Sequence, residues 1–188
     1  MSRSIIQSGD AVLRATTKEI PPAEIGSAHV RTLITDMKKL LAKEKYGVAL
    51  AAPQVGESVR LFIVAGRAVE KRKKASAKRG AEESEEPDDM PKDLPAQAGD
   101  QVYINPELVK LSRGRKKKHE GCLSVRGKWG EVMRAEKASI RAYDEHGKKF
   151  TRGASGLLAH IFQHEMDHLD GVLYIDKAKE LYDDTPDA

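Results

Sequence analysis

The sequence has few of the residues that mark several common classes of protein. Cys122 is the single cysteine among 188 residues, so no disulfide can form within the chain. Aromatic residues make up only 5%, which leaves little material for stacking on nucleic-acid bases. No stretch reaches the roughly 18 apolar residues that span a bilayer, and the N-terminus lacks the apolar core of a secretory signal. These absences predict a cytoplasmic protein with no membrane association and no specific nucleic-acid partner.

Charged residues, by contrast, make up 33% of the chain and are unevenly distributed. Two basic blocks, at 71–74 and 115–118, could contact ribosomal surfaces transiently, although such runs are more often solvated loops. Residues 67–99 carry many charges of both signs and almost nothing apolar. Such a segment cannot bury enough surface to offset its ordering entropy. We therefore predict a single domain over residues 1–188 with a mobile insertion at 67–99.

Periodic apolar residues predict the secondary structure around this segment. The 3-and-4 spacing over residues 27–45 predicts an amphipathic helix, with Ser27 as its N-cap and Gly47 as its stop. A second helix is predicted over 155–169. Strands are predicted at 59–64 and 102–106, the latter short and ending in a turn. A hairpin is predicted within 131–150, with its turn at 144–147.

The second predicted helix contains His164-Glu165-Met166-Asp167-His168. Residues i and i+4 of a helix share a face, so His164 and His168 can bind one ion, and Glu165 can accept a proton from water beside it. His160 lies on the same face. It is about 12 Å from His168 along the helix, too far to share an ion, so it is expected to line a pocket or to pack against the core.

A catalytic ion of this kind needs a third protein ligand and an open position. Cys122 is the best candidate, because a thiolate is a strong ligand and Gly121 precedes it. The alternatives are that Cys122 is a small buried apolar residue and that a carboxylate completes the site. The competing carboxylates are Asp167, Asp170 and Asp176.

Three segments in order resemble the motifs of the peptide deformylases. They are Gly47 to Gln54 (G-V-A-L-A-A-P-Q), Glu120 to Ser124 (E-G-C-L-S) and His164 to His168 (H-E-M-D-H). The flanking sequence is similar to the family from about residue 5 to 176. The resemblance implies an α+β fold, with small antiparallel β-sheets around a central metal-binding helix and an additional N-terminal helix.

The resemblance also implies an activity, namely removal of the N-formyl group from the N-terminal methionine of nascent polypeptides, with release of formate. The implied metal ligands are Cys122, His164 and His168, around Fe²⁺ that Zn²⁺ or Ni²⁺ can replace. Hydroxide bound to the ion would attack the formyl carbon while Glu165 moves the protons. The Gln54 amide and the Leu123 backbone N–H would stabilise the charge on the formyl oxygen.

Other positions are assigned by the same resemblance. The implied methionine pocket is formed by Val48, Leu157, His160 and Ile161, and Ala49 is implied to lie close to the substrate backbone. Glu120 and Arg134 match a salt bridge of the family, with two solvated charges as the alternative. Three residues depart from the family pattern: Ala49 replaces a glycine, Arg126 a proline and His160 an apolar residue.

Two other functions remain open from the sequence. The first is a peptidase of the thermolysin kind, which also uses H-E-x-x-H but usually takes its third ligand downstream. The second is a degenerate homologue that binds nascent chains without hydrolysis. Intact Glu165 and Gln54 argue against the second function, whereas Ala49 and His160 leave it open.

Overall fold

Two helices form where the apolar periodicity predicts them. The computed structural model describes residues 3–69 and 99–183, with helix α1 spanning Ala28–Lys43 and helix α2 spanning Gly156–Leu169. Ser27 is the N-cap of α1, and its side chain accepts a hydrogen bond from the Val30 N–H at 3.3 Å. The α1 helix ends before the predicted stop at Gly47. No helix in the described part of the chain is long and apolar enough to cross a membrane.

Within the described residues, eight strands form two antiparallel sheets. The larger sheet has the order β1-β2-β3-β6-β7 and the smaller one the order β4-β5-β8. The strands are β1 Ala49–Ala51, β2 Leu61–Val64, β3 Gln101–Leu111, β4 Arg115–Cys122, β5 Val125–Ala135, β6 Lys137–Tyr143, β7 Lys149–Ser155 and β8 Leu181–Asp183. The expected α+β class with small antiparallel sheets is confirmed.

Strand β3 is longer than predicted. Asn105 has a φ of 47°, and the pairing of β3 with β6 shifts register between Ile104 and Glu107. The Asn105 side chain binds both the N–H and the C=O of Ile20, at 2.8 and 2.7 Å. A long-range contact therefore holds Asn105 in the bulge, and the strand resumes after Pro106, where a turn was predicted.

The predicted hairpin is present in part. Strands β6 and β7 pair along their whole lengths around the turn at 144–147. Residues 131–135, however, belong to β5 and pair with β4 in the other sheet. The alternating pattern runs through both segments, so it does not reveal that the chain changes sheets at Glu136.

The large sheet is packed between the two helices. Phe62 of β2 belongs to the apolar cluster that includes Phe162 of α2, and the neighbouring Ile63 belongs to the cluster that includes Met37 of α1. This alternation is expected of a strand with both faces covered, because successive side chains point to opposite faces. The packing places α2 centrally, against the large sheet and beside the ends of β4 and β5.

The described chain continues past the predicted start of the charged insertion. Residues 66–69 form a helical turn, and Ala68 and Val69 are buried. Val64 pairs with Gln101, and the Gly66 N–H donates to Asp100 Oδ1 at 3.0 Å. The two ends of the charged segment are thus held together by β-sheet pairing. The rest of the predicted insertion, including the basic block at 71–74, lies outside the described residues.

Candidate active site

The structure brings Cys122, His164 and His168 together. One potential ligand atom from each lies within 4.8 Å of the others, and Cys122 Sγ is 3.2 Å from His168 Nε2. Ligands around a tetrahedral ion with bonds of about 2.1–2.3 Å are about 3.6 Å apart, so the cluster has the size that one ion needs. His160 is not in this cluster, in keeping with the helix geometry.

The two candidate imidazole ligands differ in their surroundings. His164 Nδ1 lies 2.7 Å from Glu120 Oε2, which orients the ring and leaves its Nε2 for a ligand. Burial alone would lower the pKa of His164, but its hydrogen bonds with Cys122 and Glu120 raise that pKa well above the ordinary value. Burial holds the pKa of His168 well below the ordinary value. A metal ion binds the neutral form of each imidazole, so its binding to this site would depend on pH.

Two amide groups outside α2 also donate hydrogen bonds to the sulfur of Cys122. The Ser124 backbone N–H and the Gln54 side-chain amide each lie 3.4 Å from Sγ. Donors of this kind suit a thiolate, which is the form of cysteine that binds metals. The position of Cys122 at the end of β4, where the register with β5 shifts, brings its side chain to α2.

Glu165 is buried next to this cluster and lines the same cavity. Burial raises its pKa to about 7, even though the charge of His164 acts to lower it. Its Oε2 has no hydrogen-bond partner among the described residues. A buried carboxylate oxygen without a partner is costly in a purely structural role, whereas a carboxyl with a pKa near neutrality is suited to proton transfer.

The side chain of Gln54 is fixed in one orientation. Its Oε1 accepts a hydrogen bond from the Ala51 N–H at 2.8 Å, so its Nε2 points the other way, to Ser124 Oγ at 3.1 Å and to Cys122. The Leu123 backbone N–H follows Cys122 directly, and no described residue accepts a hydrogen bond from it. Both groups assigned to the formyl oxygen are thus N–H donors beside the candidate metal ligands.

A cavity of about 580 Å³ opens over these groups. All five residues assigned to substrate binding line it: Val48, Ala49, Leu157, His160 and Ile161. Ala49 lies in β1 with a negative φ, so its methyl group does not strain the backbone there. Leu157 is half exposed at the mouth, and His160 Nε2 is directed to Glu120 Oε1 at 2.9 Å.

Glu120 and Arg134 form a buried ion pair with two hydrogen bonds, at 2.6 and 2.9 Å. Burial favours the neutral form of Glu120, but hydrogen bonds from His160, His164 and Arg134 hold its pKa well below the ordinary value. Arg134 also donates to Asp167 at 2.7 Å. The pair therefore joins strands β4 and β5 to helix α2 beneath the three candidate metal ligands.

Three contacts at the site were not predicted from the sequence. The Ser124 hydroxyl accepts a hydrogen bond from the Gln54 amide. The place of Ser124 in the E-G-C-L-S motif could have indicated that it belongs to the site. Arg67 donates to the Gly47 carbonyl and so fixes the start of the first motif. Arg126 pairs with Glu44 at 3.0 Å, and both line the cavity. Nothing local in the sequence indicates the Arg67 and Arg126 contacts, because each joins residues far apart in the chain.

The donor set fits the implied metal. One sulfur and two imidazole nitrogens suit Zn²⁺ and Fe²⁺ alike, and three protein ligands leave one position for water or substrate. No carboxylate belongs to this cluster. The competing carboxylates have other partners: Asp167 binds Arg134, Asp170 binds Arg60 and Asp176 binds Arg14.

Comparisons with known proteins agree with this geometry. The family model described as polypeptide deformylase matches residues 2–184. A peptide deformylase of Symbiobacterium thermophilum is 40% identical over 179 residues, which is 94% of this chain and 67% of that protein. One of Desulforudis audaxviator is 32% identical and covers 95% and 94% of the two chains. The chain spans 60% of the length of a 38% identical relative from Arabidopsis thaliana, chloroplastic/mitochondrial peptide deformylase 1A, and the match covers 92% of this chain.

Solved structures match over the same extent. The crystal structure of a peptide deformylase from Synechococcus elongatus superposes with a TM-score of 0.72, at 30% identity, covering 95% of this chain and 79% of that one. The Thermotoga maritima peptide deformylase gives a TM-score of 0.73 at 27% identity, covering 96% and 99%. Sequence and fold agree over nearly the whole length, and the chain therefore belongs to the peptide deformylase family.

Proposed function

We propose that this chain removes the N-formyl group from the N-terminal methionine of nascent polypeptides. The observation that carries the proposal is the buried Glu165 beside the Cys122, His164 and His168 cluster, in a cavity that also presents the Gln54 amide. These are the parts that hydrolysis of a small amide requires: a metal site, a proton carrier and N–H donors for the oxygen that becomes negative.

The three ligands would hold one Fe²⁺ ion, for which Zn²⁺ or Ni²⁺ could substitute. Such an ion, when bound, polarises the formyl oxygen and makes a water molecule acidic. Glu165 takes a proton from that water molecule as the water oxygen bonds to the formyl carbon. The Gln54 Nε2–H and the Leu123 N–H donate to the formyl oxygen. Glu165 then gives the proton to the departing nitrogen as the carbon–nitrogen bond breaks, which leaves formate and a free amine.

Substrate recognition would depend on the cavity. Val48, Leu157 and Ile161 supply apolar surface for the methionine side chain. The proposed substrates are formylmethionyl peptides emerging during translation, and the proposed location of the protein is the cytoplasm. Ribosome contact through the exposed block 115–118 of β4 is proposed as a transient one, and a ribosome pelleting assay with these four charges neutralised tests it.

One experiment separates the activity from the other functions. The Fe²⁺ protein is incubated anaerobically with formyl-Met-Ala-Ser and with its acetylated analogue, and formate and free amine are measured. We expect formate from the formyl peptide alone, and a loss of about 10²–10⁴-fold in Glu165→Gln with metal content unchanged. Internal cleavage of the peptide would support a peptidase, and binding without turnover would support a non-catalytic homologue.

A further inference from the structure

Glu120 accepts hydrogen bonds from two histidines of the same helix. His164 Nδ1 binds its Oε2 at 2.7 Å, and His160 Nε2 binds its Oε1 at 2.9 Å. Both imidazoles are largely buried, and the carboxylate is 1% exposed. His164 is a proposed metal ligand, whereas His160 is one turn too far along α2 to reach the ion. The second imidazole therefore needs another explanation.

Arg134 already fixes the position of Glu120. Its two hydrogen bonds, at 2.6 and 2.9 Å, reach both carboxylate oxygens, and Arg134 is itself anchored by Asp167 at 2.7 Å. A carboxylate held at both oxygens by a planar guanidinium has little freedom left. The hydrogen bond from His160 thus adds little to where Glu120 lies, and its main effect is on the charge that Glu120 presents.

That charge matters to the metal through His164. A carboxylate can accept a hydrogen bond from the Nδ1–H of a metal-binding imidazole. The Nε2 of that imidazole then donates its electron pair to the metal more strongly. Each further N–H that binds the same carboxylate draws negative charge away, and in a buried site water does not compensate for the loss. With four donors on its two oxygens, Glu120 has about its full complement of hydrogen bonds.

We propose that His160 acts through the charge of Glu120 to weaken the binding of the metal ion by His164. It does so by sharing the carboxylate that would otherwise serve Arg134 and His164 alone. The inference rests on the proposed metal site, because it takes His164 as a ligand. It concerns His160, one of the three positions at which the sequence departs from the family pattern.

The role of His160 in the pocket has to be kept out of the test. His160 also lines the cavity, so an activity assay would mix effects on the metal with effects on substrate binding. Metal affinity is therefore measured without substrate, by competition between the metal-free protein and a chromophoric chelator for Zn²⁺ and for Co²⁺. The absorption bands of the Co²⁺ protein supply a second reading of the ligand field.

Two matched variants carry the experiment. His160→Leu removes the donor and keeps an apolar side chain of similar size, whereas His160→Gln keeps an N–H that can bind Glu120. We expect His160→Leu to bind Zn²⁺ about three- to tenfold more tightly, less than the 10–100-fold effect of removing a whole outer partner. We expect His160→Gln to stay within about twofold of the original protein, with unchanged Co²⁺ bands.

Whether His160→Leu raises or lowers the affinity for metal decides between the two roles of His160. A merely structural His160 would make His160→Leu bind metal more weakly, and equal affinity or equal loss in both variants would also overturn the proposal. Thermal unfolding of the metal-free variants shows whether they fold. A His164→Ala variant is measured in parallel. If it keeps the metal affinity of the original protein, the proposed metal site fails, which is distinct from failure of the role of His160.

Discussion

Arg126 Nη2 lies 3.0 Å from Glu44 Oε1 and joins the start of β5 to the end of α1. Both residues border the cavity, so the ion pair connects the segment that carries Cys122 with the segment that leads into the first motif. By the family resemblance, Arg126 takes the place of a proline. This chain thus has an ionic contact at a place where proline could not make one.

The contribution of this pair to stability is expected to be small, because Arg126 is 61% exposed. A double-mutant cycle with Glu44→Gln and Arg126→Gln should give a coupling of about 0.2–1 kcal/mol in urea unfolding. The coupling should shrink in 1 M salt, where the Debye length falls to about 3 Å. A coupling that is independent of salt would mean that the two side chains interact by something other than charge.

Removal of the thiol should cost the protein its metal. Cys122→Ala leaves only His164 and His168 of the proposed ligands, and affinity for Zn²⁺ should fall by more than the roughly 100-fold upper range seen for outer partners. Metal content after dialysis and chelator competition measure this. Glu165→Gln is the control, because Glu165 is not among the three candidate ligands. Full metal content in Cys122→Ala would mean that a carboxylate, and not Cys122, is the third metal ligand.

Breaking the buried ion pair should destabilise the fold strongly. Arg134→Met leaves Glu120 buried without its main partner, for which a loss of about 3–5 kcal/mol in the free energy of unfolding is expected. Lys116→Met is the matched control, because Lys116 pairs with Glu136 on the surface and is 68% exposed. That variant should lose at most about 1 kcal/mol. Similar losses in the two variants would contradict the assigned burial of the Glu120 pair.

Acid stability should depend in part on Asp176. A hydrogen bond from Arg14 is the main reason that its pKa is lowered, and Arg14 Nη2 lies 3.1 Å from Asp176 Oδ1. A lowered folded-state pKa stabilises the fold above the unfolded value of about 3.9, and this stabilisation is lost as pH falls through the lower folded value. Both side chains are partly exposed, so its size is at most about 1 kcal/mol.

The test of this prediction compares the original protein with Arg14→Met. The difference in free energy of unfolding should be constant at pH 5–7 and vanish as pH falls toward 2. An NMR titration of Asp176 should also show a lower pKa in the original protein than in Arg14→Met. A pKa that is equal in the two proteins would remove Arg14 as the cause.

Local patterns predicted the two helices, because periodicity and caps are determined by neighbouring residues, whereas the α+β class was implied by the family resemblance. They did not predict the length of β3, which depends on Asn105 binding Ile20, or the switch of sheets at Glu136. At the site, helix spacing selected His164 and His168, and the motifs suggested Cys122 and Gln54. The orientation of Gln54 was not predicted, since its side-chain amide also donates to Cys122 and Ser124, which are 68 and 70 positions away. The hydrogen bond between His160 and Glu120 joins residues 40 positions apart, which no local pattern reports.

The pairing of the two ends of the charged segment does not depend on the residues that lie between those ends. Val64 and Gln101 are neighbours across β2 and β3, and Gly66 is bonded to Asp100. Doubling the length of a flexible connection at such a junction costs only about 0.6 kcal/mol of closure entropy. Evolution can thus lengthen, shorten or rewrite this stretch at little thermodynamic cost. A tag, a sensor or a second domain inserted between these paired ends would therefore leave the pairing of β2 with β3 in place.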